Sequence, residues 1–190
     1  MISEPLLSFA GVVAAVVAML VDARGATLIA VAVVAAGLAP TVWITDGGAA
    51  ALVIGGAAAA GVGAGLLSRL AARRLPWVAG LDPRVPAFAP PRQLFGPRSA
   101  RAFAAALAVP IASWVSFNVP IGEVTVVQGL LFPIAYMWAC GLLRMVVGRS
   151  VEDLAVGVSM LAMSGAAAWL VRGGPDALAG AAGAASLAAL

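Results

Sequence analysis

The chain has 190 residues, of which 63% are hydrophobic and only 10% charged, with a net charge of +3. A soluble fold of this size has too little polar area to cover so much apolar surface, so the composition points to lipid as the solvent. The absence of His and Lys, with Cys140 as the single cysteine, excludes imidazole-ligated haem, the usual zinc sites, a lysine Schiff base and a four-thiolate cluster. No catalytic residue, metal ligand or cofactor-binding residue is assigned, and no cofactor is expected.

The expected fold is an all-α integral membrane bundle of about six transmembrane helices, because open strands cannot satisfy their backbone in lipid. Glu4 and the missing positive n-region argue against a cleaved signal peptide, so Pro5–Val21 reads as the first span. Asp22–Gly25 breaks it, and Ala26–Ile44 is the second span. Ala49–Leu67 is the third, entered through Asp46-Gly-Gly, a turn and N-cap. Small residues Ala57, Gly61 and Gly65 repeat at four-residue spacing beside Gly56, a pattern that lets helix backbones approach closely.

Residues 1–67 thus form three spans, and 68–101 form a loop rich in Arg and Pro. Arg73, Arg74, Trp77, Arg84 and Arg92 alternate there with prolines and apolar side chains. This segment is either a basic linker lying on anionic headgroups or a docking site for a cytoplasmic partner.

Residues 102–171 hold the other three spans, Ala102–Ile121, Val124–Val147 and Leu154–Val171. In the fourth span Pro110 precedes Ser113 and Ser116, and Asn118 and Pro120 close the helix. The fifth carries Gln128, Phe132, Tyr136, Cys140 and Arg144 at steps of four, one slowly drifting stripe on a helix. Pro133 leaves the Gly129 carbonyl without its usual donor. Polar groups at that depth either bond to neighbouring helices or line a wet path. Arg144 lies close enough to the helix end to snorkel, Glu123 belongs to the headgroup region, and no buried carboxylate is evident. Ser150-Val-Glu-Asp reads as a cap on the sixth helix, with Glu152 and Asp153 at the positive end of its dipole. The apolar tail within 172–190 is short for a span and reads as a surface helix or a partly inserted segment.

Ten of the eleven arginines fall on one side of this topology, and Arg172 lies on the other. The positive-inside rule then places the 68–101 loop in the cytoplasm and both termini outside, in a bacterial-type cytoplasmic membrane. Gly37–Trp43 and Gly129–Trp138 share a Gly-Leu, Pro and Trp order, which suggests two three-helix halves of inverted topology. The functional expectation is a non-catalytic subunit of a larger membrane complex, with the bilayer and other membrane subunits or further copies of itself as partners and no nucleic acid. The alternative is a small transporter or channel built on the polar stripe.

Overall fold

A computed structural model describes residues 3–20, 27–46, 97–118, 128–148 and 151–172, together with positions 52, 55, 56, 59 and 63. Among the described residues there are five helices and no strands: α1 (Ser3–Leu20), α2 (Thr27–Asp46), α3 (Pro97–Asn118), α4 (Gln128–Val147) and α5 (Val151–Arg172). Leu52, Gly55, Gly56, Ala59 and Gly63, within the expected third span, are also helical. Two of the segments, Ser99–Asn118 and Asp153–Val171, are long and apolar enough to cross a membrane.

The helix ends have local causes. Pro97 opens α3, where its missing N–H and preset φ carry no penalty. The expected 68–101 loop is therefore corrected at its end: residues 97–101 are helical. Asn118 ends α3 by donating its side-chain amide to the Trp114 carbonyl at 2.8 Å. Alanine, the strongest helix former, is frequent throughout and carries the chain across the internal prolines Pro40, Pro110 and Pro133.

Helices α1, α2, α5 and α4 form a ring in which each packs on the next, and α3 lies against the outside of α4. Glycines set the closest approaches. A Cβ on Gly37 of α2 would run into Ala14 of α1, and one on Gly11 of α1 would sit 3.1 Å from Pro133 of α4. On the other side of the ring, a Cβ on Gly141 of α4 would lie 3.0 Å from the Gly157 carbonyl of α5. One on Gly157 would lie 2.9 Å from the Gly141 carbonyl. The contacts between Gly141 and Gly157 are backbone to backbone, which small side chains alone permit.

Helices α1 and α4 run one way, and α2, α3 and α5 run the other. Met19, at the end of α1, packs with Ala104 and Ala105 near the start of α3 and with Leu143 and Val147 near the end of α4. The start of α5 follows directly from the end of α4. The ends of α2, α3 and α5 therefore lie at the opposite end of the bundle. The core between the helices is small and apolar, including Ala15, Ala18, Val34, Leu38, Met137, Met160 and Met163. Large apolar residues also face outward, among them Phe9, Trp43, Phe103, Trp114, Phe117 and Val146.

Candidate functional site

The polar centre of the molecule is built at the arginine-rich end of α3, α4 and α5. Gly148 closes α4 by donating its N–H to the Arg144 carbonyl at 2.7 Å. A Cβ on Gly148 would lie 2.7 Å from that same oxygen and 2.7 Å from the Asp153 Cβ. Glycine therefore lets the first turn of α5 fold back against the last turn of α4. This brings Arg144 and Asp153 together: the Arg144 Nη2 donates to Asp153 Oδ1 at 2.9 Å. From α3, the Arg101 Nη2 donates to both carboxylate oxygens of Asp153, at 3.1 and 3.0 Å. Asp153 and Arg144 are buried, and Arg101 is mostly so.

Two sequence readings change here. Arg144 does not snorkel: its guanidinium is sealed inside the bundle, where the Asp153 charge offsets the cost of leaving water. Asp153 does lie in the first turn of its helix, as a cap would, but its carboxylate accepts hydrogen bonds from two arginines of neighbouring helices. It is the buried carboxylate whose presence the apolar pattern did not suggest. The signal was a glycine with an arginine four residues before it and an acidic residue five residues after it. Arg101, grouped with the loop by composition, is helical and completes the cluster.

The rest of the stripe is also placed between helices. The Tyr136 hydroxyl donates to the Ala105 carbonyl of α3 at 3.0 Å and is buried. Its ring stacks on Phe132, one turn earlier, with centroids 6.0 Å apart. Cys140 is fully buried in the apolar core. Gln128 begins α4, but its side chain lies outside the described residues, as does Glu123.

The other expected positions scatter. Pro110 is exposed on the outer face of α3, whereas Pro133 is buried toward α1, so the two irregularities do not meet. Ser116 is buried and donates to the Ser113 carbonyl of its own helix at 2.9 Å. Ser159 and Ser164 likewise bond back to Ala155 and Leu161. Gly56 is exposed, with nothing within 4 Å of an added Cβ. Ala57, Gly61 and Gly65, the loop residues Arg73, Arg74, Trp77, Arg84 and Arg92, and the tail 177–190 lie outside the described residues.

A groove of about 320 Å³ lies between α3, α4 and α5, toward the end away from Asp153. Its walls include Val115, Ser116, Leu131, Trp138, Ser164 and Gly165. Among the described residues no group of three or more potential metal ligands occurs.

No protein-family model, curated protein or solved structure matches this chain.

Proposed function

We propose that the chain is a non-catalytic, multi-pass membrane subunit of a larger membrane complex, with six spans, both termini outside and a basic cytoplasmic loop over 68–101. The observation that carries this reading is the commitment of the polar stripe to helix contacts. Tyr136 is hydrogen bonded to α3 and Arg144 is ion paired to α5, so the groups a solute path would need are engaged in holding helices together. In lipid, helices are not driven together by the hydrophobic effect, so close van der Waals packing and such polar contacts supply the cohesion.

A second arrangement supports insertion in a bilayer. Trp43, Trp114 and Trp169 are 63%, 65% and 47% exposed. Each lies about one helical turn before the last residue of its helix, Asp46, Asn118 and Arg172 respectively. Those three helix ends share one end of the bundle, so the tryptophans form a belt of the kind found at headgroup level. The Arg101–Asp153–Arg144 cluster marks the other end, on the arginine-rich side that the positive-inside rule assigns to the cytoplasm. The exposed helical positions Leu52, Gly55, Gly56 and Ala59 leave a face open to a helix of another chain, small at every one of them but Leu52.

Purification from its native membrane in mild detergent tests the proposal. A defined partner protein at fixed stoichiometry is expected. A homo-oligomer that carries a solute into liposomes would replace this reading with the transporter.

A further inference from the structure

The groove between α3, α4 and α5 is open for a specific reason. Helices α3 and α5 both lie along α4, but they make almost no backbone approach to each other. The Arg101–Asp153 ion pair links them at one end. Toward the other end they flank α4 as the two walls of a slot. Val115 and Ser116 form one wall, Ser164, Gly165 and Ala168 the other, and α4 forms the floor from Leu131 to Trp138.

The walls are almost wholly apolar. The two hydroxyls among them already donate to carbonyls of their own helices, Ser116 to Ser113 and Ser164 to Leu161. An occupant therefore needs no polar group inside the slot, and one carrying an unmet donor or acceptor would be disfavoured there. The volume of about 320 Å³ falls near the lower end of the range for ligand pockets, roughly 300–1,000 Å³. The stretch from Leu131 to Trp138 rises roughly 10 Å along α4 at about 1.5 Å per residue. The rim residues Val115 and Ala168 are chain neighbours of Trp114 and Trp169, the exposed tryptophans of the belt. The slot thus runs from headgroup level toward the middle of the bilayer, parallel to the helices.

We infer that this groove holds one acyl chain of a bilayer phospholipid, with its headgroup at the level of Trp114 and Trp169 and its chain running down α4 to Trp138. The inference rests on the membrane-spanning reading above. A linear, apolar occupant fits the slot's apolar walls and its direction along α4, and the contiguous bilayer supplies that chemistry at the rim. Gly165 keeps the slot open: it is exposed, and nothing lies within 4 Å of an added Cβ.

The test uses the full chain in phosphatidylcholine vesicles that contain a trace of phospholipid bearing a diazirine near the methyl end of one acyl chain. After irradiation, labelled residues are mapped by mass spectrometry. Leu107 and Val109, exposed on the outer face midway along α3, serve as reporters of bulk lipid. The expected result is labelling at Trp138 and around Gly165 that falls about fivefold or more in Gly165→Leu, with Leu107 and Val109 unchanged. Ala168→Leu, at the rim, should act in the same direction, and the unchanged bulk labels show that each variant is folded. Bulk labelling without groove labelling, or groove labelling indifferent to both substitutions, would overturn the acyl-chain site and leave the membrane reading intact. Absence of labelling at Leu107 and Val109 as well would remove the membrane reading and this site with it.

Discussion

Arg144, in the last turn of α4, and Asp153, in the first turn of α5, lie 2.9 Å apart, with 0% and 4% of their side chains exposed. The pair is connected to a third helix by Arg101, so a single carboxylate holds α3, α4 and α5 at one end of the bundle. Because Arg144 is buried, the cluster is sensitive to removal of its anion. Asp153→Asn is expected to destabilise the protein by about 3–5 kcal/mol, the cost of removing one partner of a buried ion pair. Arg101→Met, which removes a less buried partner, should cost less, roughly 1.5–3 kcal/mol, the range for a hydrogen bond to a charged group. Thermal unfolding in a fixed detergent measures both. Equal losses from the two variants would show that Arg144 finds other compensation.

Tyr136 tests the use of the stripe as a contact between helices. Tyr136→Phe keeps the ring and its stacking on Phe132 but removes the hydrogen bond to Ala105. The expected loss is about 0.6–2 kcal/mol, with any partner binding reduced only in step with stability. In a Cys140→Ala background, a cysteine placed at 136 should resist water-soluble thiol reagents. Rapid labelling there would indicate a wet path and favour the transporter.

The glycine pair between α4 and α5 makes a sharper prediction about packing. Gly141→Ala places a methyl against the Gly157 carbonyl and the Met160 Cβ, each about 3.0 Å away. Overpacking of this kind costs roughly 1–3 kcal/mol. Gly165→Ala on the same pair of helices meets nothing within 4 Å and should be neutral or slightly stabilising, since alanine favours helix over glycine. Melting temperatures of the two variants in one detergent should therefore move apart. A similar response from both would mean that α4 and α5 do not approach at Gly141.

Gly56 separates folding from assembly. It is exposed and has open space around it, so Gly56→Leu should leave the monomer's stability in detergent near the parent value. If the small-residue face receives a helix of another chain, the same substitution should abolish co-purification of that partner. Loss of stability without a partner present would place the face inside the subunit instead.

Topology is tested independently of packing. A reporter fused after Gln93, in the basic loop, should be active only in the cytoplasm, and one fused after Gly122 only outside. A cytoplasmic signal at Gly122 would overturn the six-span arrangement.

The sequence by itself determined the helical character and most of the helix positions. Those follow from local quantities: runs of apolar residues, alanine content, Pro97 suited to a first turn, and Asn118 able to close the last one. It also singled out the α4 stripe, because a spacing of four places side chains on one face of any helix. What each polar group of that stripe touches was decided only by the tertiary structure. Arg101 and Asp153 are 52 residues apart in the chain, and nothing near either one marks the other as its partner. An aspartate in a first helical turn has the same local signature whether it caps its own helix or receives arginines from two others. Likewise, Gly141 and Gly157 look like other glycines in apolar segments until two backbones meet there. Burial of Arg144 required the first turn of α5 to lie against the last turn of α4, which Gly148 permits by having no side chain at the point where Asp153 passes.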